Sequence, residues 1–253
     1  MPTFIKVPNL PEKPVRTVLL SADAPEFAFK RLESLDFEVI CVPACEELER
    51  PVSAHPDMQL HHLGDSKIVC HKQLEQSFSR KLAELGFNLI MSEQILKPEY
   101  PFDIALNAAR IGSMLFCKSG FTDRVITDFC SNHQIHIKSV QQGYAKCSVC
   151  IVGSQSIITA DRSIEHAAKD CGMDVLLIQP GFINLPGYNT GFFGGCCGKL
   201  SADRIFVCGD LRLHPDCERI RNFLTERKIE LEMISGEPLT DIGSLIPLLE
   251  EAQ

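Results

Sequence analysis

The feature that most constrains the fold of this chain is an internal period. Short turns rich in Gly and Ser recur every 41 to 48 residues or so. They lie at Gly64–Ser66, Gly112–Ser113, Gly153–Ser154, Leu200–Ser201 and Gly243–Ser244. A period of this length is the signature of an architecture built from repeated supersecondary units. We therefore interpret the chain as a series of similar α/β units.

The order of elements within one unit can be deduced from the residues around Gly153. The apolar run Ser156–Thr159 predicts a strand, and Asp161–Cys171 has helical periodicity with Asp161 as its N-cap. Gly172 is suited to end that helix, and Asp174–Ile178 predicts another strand. Each unit is therefore predicted as strand, turn, strand, helix, strand. The equivalent helices of the other units are predicted at 72–85, 122–132 and 215–228.

The two ends of the chain together supply the parts of one further unit. The N-terminal part offers a strand at Thr17–Leu20, a helix at Pro25–Leu35 and a strand at Glu38–Val42, but no first strand. Near the other end, Ile242–Ile246 closely resembles Ile111–Leu115, which precedes a second strand in its own unit. We predict that this segment is the missing first strand and that it closes five units into a ring, which removes exposed sheet edges.

The alternative is an ordinary doubly wound parallel sheet, which alternating strands and helices would also produce. Nucleotide-binding motifs would favour that sheet. The glycine-rich stretch Gly191–Leu200 lacks the spacing of a dinucleotide fingerprint. As a phosphate-binding loop it has Phe193 where the first Gly is needed and Leu200 where Ser or Thr is needed. The ring is therefore the favoured architecture.

Composition and charge narrow the range of partners and the cellular location expected for this protein. The net charge is −8 and no Lys/Arg-rich run occurs, which disfavours nucleic acid and anionic membranes as partners. The first residues contain prolines and charges in place of an apolar signal segment, and no apolar run could span a membrane. The twelve cysteines are scattered, several of them in apolar runs. We interpret them as reduced thiols of a cytoplasmic protein.

A five-unit ring of this pattern resembles the pentein, or guanidine-modifying enzyme, superfamily. Its members include arginine and agmatine deiminases, dimethylarginine hydrolases, amidinotransferases and a ribosome anti-association factor without catalytic activity. This chain resembles most a bacterial branch of unknown function. The resemblance implies one pentein-like domain over residues 1–253, an αβ propeller with pseudo-fivefold symmetry and a polar central channel. In the catalytic members it implies a nucleophilic Cys in the last unit, a His acid/base and carboxylates that hold a guanidinium.

Candidate channel residues are found by counting back from each turn. Five residues before a turn stand Gln59, Asn107, Ser148 and, in the last full unit, Gly195 or Cys196. If these segments are extended, alternation places His55, Asp57, Gln59 and His61 on one strand face, and Asp103 with Asn107 on another. Those faces carry more polar side chains than the face of a buried core strand normally does.

The resemblance gives these residues roles in binding a guanidino or amino-acid-like small molecule. Asp57 and Asp103 would hold the planar cation with bidentate carboxylates. Asn107 and Gln59 would orient it. Cys196 would attack, since displacing a nitrogen from a guanidinium carbon requires a thiolate and a proton donor. These roles would make the protein a Cys-dependent hydrolase or amidinotransferase without a cofactor.

His55 is the predicted proton-transfer residue, with His61 as the alternative. The unit that opens at Tyr144–Ser148 contains no His, so a His from across the channel would have to serve, or the catalytic machinery is absent.

Other interpretations stay open. Cys196 and Cys197 are also suited to a place where strands crowd an axis, and the scaffold could belong to a non-catalytic binding or interaction protein. A zinc ion held by His61, Cys196 and Asp57 is a third possibility, and Cys147 and Cys150 have the spacing of a zinc half-site without a second pair. Cys45 and Cys217 are expected to be exposed thiols.

Overall fold

The computed structural model describes residues 2–252, and the strands in that range form five small sheets. The strands in chain order are β1 (Thr3–Phe4), β2 (Val15–Ser21), β3 (Glu38–Val42), β4 (Leu60–Gly64), β5 (Lys67–Cys70), β6 (Asn88–Met91), β7 (Ala109–Ile111), β8 (Met114–Cys117), β9 (His136–Ser139), β10 (Val149–Gly153), β11 (Ser156–Thr159), β12 (Asp174–Leu177), β13 (Cys197–Ser201), β14 (Arg204–Val207), β15 (Glu230–Met233) and β16 (Ile246–Glu250).

The α-helices of the described range are short. They are α1 (Glu26–Ser34), α2 (Pro56–Gln59), α3 (Gln76–Glu84), α4 (Arg124–Asn132), α5 (Arg162–Asp170) and α6 (Cys217–Glu226). Two of the predicted helices begin later than expected, at Gln76 and Cys217. Within residues 2–252, no helix has the length and apolar character that crossing a membrane requires.

Helix α5 shows why these segments fold as they do. The side chain of Asp161 accepts a hydrogen bond from the Ile164 amide at 2.9 Å, as predicted for an N-cap. Ile164 and Ala168 lie on one face of the helix and are fully buried against strands β10 and β11. Gly172 follows the helix with φ of 76°, a conformation that glycine adopts without strain. Burial of an apolar side chain such as that of Ile164 contributes about 1.5–3 kcal/mol to the stability of the folded state.

Four of the sheets have one topology. The first strand of each pairs antiparallel with the second, and the second pairs parallel with the third, which follows the helix. The sheets are β4-β5-β6, β7-β8-β9, β10-β11-β12 and β13-β14-β15. The predicted order of strand, turn, strand, helix and strand is present in each. A single doubly wound sheet is excluded for the described residues, because their strands separate into five sheets.

The fifth sheet joins the two ends of the chain in the order β1-β16-β2-β3. β16 pairs antiparallel with β2, with Ile246 opposite Leu19. The predicted strand Ile242–Ile246 is corrected to Ile246–Glu250. The chain turns just before it, because Gly243 and Ser244 both have φ of 67° and the Gly243 amide bonds to the Asp241 side chain at 3.0 Å.

Candidate functional site

The segments that precede the first strands of the five sheets meet in the middle of the molecule. Asp57 precedes β4, Asn107 precedes β7, Lys146 and Cys147 precede β10, and Ser244 precedes β16. We call these five residues the central cluster. None of them is more than 7% exposed. The segment before β13 contributes backbone, since the Gly195 carbonyl accepts a hydrogen bond from the Ser244 amide at 2.8 Å.

Hydrogen bonds connect all members of the central cluster. The Cys147 thiol donates to Asp57 Oδ2 at 3.2 Å and accepts from Asn107 Nδ2 at 3.0 Å. The Ser244 hydroxyl donates to the same Asp57 oxygen at 2.7 Å. Lys146 Nζ donates to Ser244 Oγ at 2.8 Å. A cationic, a carboxylate and a thiol group are therefore held in fixed positions out of contact with bulk water.

Two glycines allow the segments to approach so closely. A Cβ atom on Gly195 would lie 2.0 Å from Asp241 Oδ1, and one on Gly243 would lie 2.3 Å from the Cβ of His55. No side chain fits at such distances. The glycines bring Asp241 and His55 to the edge of the central cluster, and we call these two residues the flanking pair.

Two polar atoms at this place, one on His55 and one on Asp57, have no hydrogen-bond partner among the described residues. His55 Nδ1 lies 3.9 Å from Asp241 Oδ1, too far for a hydrogen bond, and Asp57 Oδ1 also lacks a partner among the described residues. Ligand atoms of His55, Asp57 and Cys147 lie within 4.8 Å of one another. An unsatisfied buried polar group costs about 1–3 kcal/mol. These two atoms are able to hydrogen-bond to a further group that enters the site.

Burial controls the charges of this site. It raises the pKa of Asp57, and it raises the pKa of Asp241 to about 6. It raises the pKa of the Cys147 thiol well above its usual value, an effect that the carboxylates of Asp57 and Asp241 reinforce. Burial also lowers the pKa of His55. Near neutral pH the thiol and the imidazole are therefore uncharged, and a cation entering the site would favour the thiolate.

An open cavity of about 620 Å³ ends at the flanking pair. Its wall includes Asn184 and Thr240, and Arg50 forms an ion pair with Asp23 on its outer part. The sequence predicts an open polar channel through the centre. In the structure the side chains of the central cluster fill that centre, and the open space lies beside it. The cavity has the size of an ordinary small-molecule site.

The structure brings together three of the predicted site residues and separates two others. Asp57, Asn107 and His55 meet at the central cluster. Asp103 lies apart, is 3% exposed and accepts a hydrogen bond from the Tyr144 hydroxyl at 2.6 Å, while its second oxygen has no partner in the described chain. Gln59 turns away, because its Nε2 donates to the carbonyls of Pro43 and Ser53 at 2.6 Å each.

Cys196, the predicted nucleophile, lies in an apolar cluster instead of the polar centre. Its thiol is 3.5 Å from the Phe192 carbonyl, and the neighbouring Cys197 thiol donates to the Phe193 carbonyl at 3.0 Å. Burial raises the pKa of the Cys196 thiol well above its usual value. The thiol that touches a carboxylate and an amide in the centre is that of Cys147.

The predicted strand faces are wrong because the segments before the strands are helical turns. Residues 56–59 form α2 with Pro56 in its first turn, and residues 194–196 form a 3-10 turn. The Ser148 amide bonds back to the Tyr144 carbonyl at 3.0 Å. In such turns successive side chains do not alternate between two faces. The residues that point to the centre are therefore Asp57 and Cys147, and not Gln59 and Ser148.

The predicted zinc set is not assembled either. His61 Nδ1 lies 3.3 Å from the Leu106 carbonyl, and burial lowers the His61 pKa to about 3. Two groups of metal-ligating side chains do occur among residues 2–252, and neither contains His61 or Cys196. Cys45 and Cys217, expected to be exposed, are 5% and 8% exposed, whereas Cys41 is exposed.

Sequence reasoning missed the roles of Cys147, Lys146, Ser244 and Asp241. Cys147 and Lys146 stand directly before the counted Ser148, and Ser244 belongs to the turn that marks the last unit. The counted positions identified the right segments, so a helical offset of one or two residues would have found Cys147. No pattern in the sequence distinguishes Asp241 from a capping Asp.

Comparison with known proteins identifies the family of this chain and solved structures that share its fold. A family model described as "Family of unknown function (DUF6873)" matches residues 19–246. No curated protein matches the chain by sequence. An inosamine-phosphate amidinotransferase from Streptomyces griseus superposes with a TM-score of 0.62 at 10% identity, covering 99% of this chain and 98% of that chain.

Two further solved structures have the same fold. A mutant DDAH from Pseudomonas aeruginosa complexed with citrulline has a TM-score of 0.54 at 9% identity, covering 87% of this chain and 92% of its own. An agmatine deiminase from C. jejuni has a TM-score of 0.55 at 8% identity, covering 92% and 91%. The mixed α/β fold with five small sheets is therefore shared with solved amidinotransferase, DDAH and deiminase structures, as the resemblance to the pentein superfamily implies.

Proposed function

We propose a function for this chain from the site that its five pre-strand segments build. The chain belongs to the family of unknown function DUF6873. The cavity beside the flanking pair binds a small molecule with a guanidinium or similar planar cation, such as a guanidino or amino-acid-like compound. Asp241 and Asp57 offer the carboxylates. The observation that carries the proposal is that His55 and Asp241 line this cavity while His55 also belongs to a buried group with Asp57 and Cys147. Within the described residues, His55 Nδ1 and Asp57 Oδ1 have no hydrogen-bond partner.

The proposed architecture of the chain is a five-unit αβ propeller with pseudo-fivefold symmetry, in one domain over residues 1–253. Its support is the convergence of five equivalent segments on one cluster and the pairing of β16 with β2. The twelve cysteines are all free, which supports a reducing, cytoplasmic location.

The catalytic form of the proposal uses Cys147 as the nucleophile. Its sulfur forms a bond with the guanidinium carbon while its proton passes to His55, whose neutral imidazole can accept it. The bond from that carbon to the leaving amine breaks, and the amine takes the proton from His55. The remaining amidino group on Cys147 is released by water, as in a hydrolase, or by a second amine, as in an amidinotransferase.

A bound cation would also activate the thiol. The pKa of the Cys147 thiol is high because the sulfur is buried beside two carboxylates, so a positive charge placed against them removes part of that penalty. The Cys147 thiol is thus protonated and unreactive without a bound cation, and it becomes more reactive when a cation binds. Among the described residues, no carboxylate is in hydrogen-bonding contact with Cys196, the nucleophile predicted from the sequence.

The test is turnover and adduct formation with arginine, agmatine and dimethylarginine as probes. We expect a ureido or transferred amidino product from at least one probe, and a covalent adduct that peptide mass spectrometry assigns to Cys147. Cys147→Ser should abolish both, His55→Ala should lower turnover at least about a hundredfold, and Cys196→Ser is the matched control that retains activity. An adduct on Cys196, with Cys147→Ser fully active, would overturn the assignment.

A second candidate function is binding without turnover, as a non-catalytic binding or interaction protein on the same scaffold. It is favoured by one observation: the Cys147 thiol is already hydrogen-bonded to Asp57 and Asn107. Calorimetry with the same probes distinguishes the two functions. Saturable binding that Asp241→Asn weakens, without product or adduct, would support the binding protein, and absence of binding would contradict both.

A further inference from the structure

A second group of metal-ligating side chains lies outside the proposed site and has no part in it. Cys45 and Glu47 stand in the loop after β3, and His71 directly follows β5. The Cys45 sulfur is 3.0 Å from Glu47 Oε2 and 3.9 Å from His71 Nδ1. All three ligand atoms lie within 4.8 Å of one another. We call these residues the Cys45 cluster.

The imidazole of this cluster is oriented by its neighbours. Gln59 Nε2 donates to the carbonyls of Pro43 and Ser53 at 2.6 Å each, which leaves Gln59 Oε1 to accept from His71 Nε2 at 3.3 Å. The proton of a neutral His71 therefore sits on Nε2. Its Nδ1 lone pair faces the Cys45 sulfur. Metal-binding histidines are commonly held by this kind of outer hydrogen bond.

The backbone also holds the cluster in place. The Cys45 amide donates to the Ser53 carbonyl at 2.9 Å, and the His71 amide donates to the Gln59 carbonyl at 3.2 Å. Cys45 and His71 are 5% and 2% exposed, while Glu47 is half-buried. Two ligands are thus fixed inside the protein, and the third is on the side from which an ion and a water molecule can approach.

We infer that Cys45, Glu47 and His71 bind one divalent transition-metal ion, with Zn²⁺ preferred and a water molecule as the fourth ligand. Around a tetrahedral zinc, sulfur lies about 3.6 Å from an oxygen or nitrogen ligand. The two separations in this structure, 3.0 and 3.9 Å, lie on either side of that value. A thiolate and a carboxylate together neutralise the charge of the ion.

The ligand types determine which metals suit the cluster. Thiolate and imidazole ligands select zinc and its transition-metal neighbours, whereas Mg²⁺ and Ca²⁺ require sets of oxygen ligands. This inference is independent of the proposed function, because Cys147 and His55 belong to a different group of residues. It can therefore fail while the proposed function stands, and the reverse is also true.

The test uses the full chain, reduced and freed of metal by a chelator, with Co²⁺ as the spectroscopic probe and Zn²⁺ as its competitor. We expect one Co²⁺ per chain with a thiolate charge-transfer band, displaced by Zn²⁺ and insensitive to excess Mg²⁺. Cys45→Ser should remove the band, and His71→Gln should weaken binding at least about tenfold. Cys147→Ser, which removes the thiol of the other metal-capable group, is the matched control and should leave the band unchanged.

A second measurement covers the case in which Cys45→Ser fails to fold. In the wild-type chain, Zn²⁺ should protect Cys45 from alkylation during partial denaturation while Cys41 stays reactive. The inference is overturned if the wild-type chain binds no Co²⁺, or if the band survives Cys45→Ser. It is also overturned if Cys147→Ser alone removes the band, since the ion would then occupy the central cluster.

Discussion

Residues 2–252 contain two groups in which a cysteine, a histidine and a carboxylate have ligand atoms within 4.8 Å of one another, and the surroundings of the two groups differ. In the Cys45 cluster the imidazole is oriented by Gln59 and the carboxylate is half-buried. In the centre, His55 Nδ1 has no partner among the described residues, and the buried carboxylates of Asp57 and Asp241 lie near the buried ammonium group of Lys146.

The difference shows that residue type alone does not decide what such a group binds. An oriented lone pair and two anionic ligands suit a small metal ion, which needs lone pairs aimed at one point. An excess of buried negative charge with unpartnered atoms beside a 620 Å³ cavity suits an organic cation, which needs space and hydrogen-bond acceptors. Four predictions test this contrast, from the largest expected effect to the smallest.

The first prediction concerns the buried cation of the centre. Lys146→Met removes the positive charge near Asp57 and Asp241 and should lower the free energy of unfolding by about 3–5 kcal/mol at pH 8, as measured by urea denaturation. The deficit should shrink below pH 6, where protonated carboxyl groups no longer require a cation. Glu47→Gln, in the Cys45 cluster, should cost less than 1 kcal/mol. Equal costs for the two variants would contradict the contrast.

The second prediction is a pH dependence of stability. The pKa of Asp241 is about 6 in the folded protein and near 3.8 in the unfolded chain, so the folded state binds a proton more tightly. Stability should therefore fall as pH rises from about 4 to 6, by about 3 kcal/mol from this group. Asp241→Asn should flatten the profile in that window. An unchanged profile in the variant would show that Asp241 is not the titrating group.

The sequence predicted the fold better than the site. The period of the turns, the cap at Asp161 and the split unit were all readable, because apolar periodicity and capping are local properties. The closing strand was shifted by four residues because a turn held by the Asp241 side chain precedes it. Cys196 was chosen because the resemblance places the nucleophile in the last unit and counting back from the turn reaches it, but residues 194–196 form a 3-10 turn and its thiol lies in an apolar cluster. The positions of such turns depend on packing at the centre, which sequence spacing does not encode.

The third prediction measures the Cys45 cluster by linkage. Zn²⁺ at a hundred times its dissociation constant should raise the free energy of unfolding by about 2.7 kcal/mol, seen as a higher melting temperature. Cys45→Ser should remove the rise, and Cys147→Ser should preserve it. A rise that persists without Cys45 would place the ion elsewhere. A guanidino ligand should show the opposite pattern, with its stabilisation dependent on Asp241 and independent of Cys45.

The smallest effect is expected at Gln59, which we propose to be a positioning residue for the metal. Gln59→Leu removes the acceptor that holds the His71 proton on Nε2, so Co²⁺ affinity should fall about 10- to 100-fold. Because lost packing alone could also weaken binding, the second readout is the ¹⁵N NMR signature of His71 in the metal-free chain. It should show protonated Nε2 in the wild type and a mixture of tautomers in the variant.

The matched control for Gln59 is Gln94→Leu, which removes a half-buried amide bonded to the Thr122 carbonyl, outside both groups. Its Co²⁺ affinity and His71 tautomer should equal those of the wild type. If Gln59→Leu keeps wild-type affinity and tautomer, the orientation of His71 does not depend on Gln59. The contrast with His55 would then lose its stated physical basis, because the hydrogen bond to Gln59 would not be what fixes the protonated nitrogen of His71.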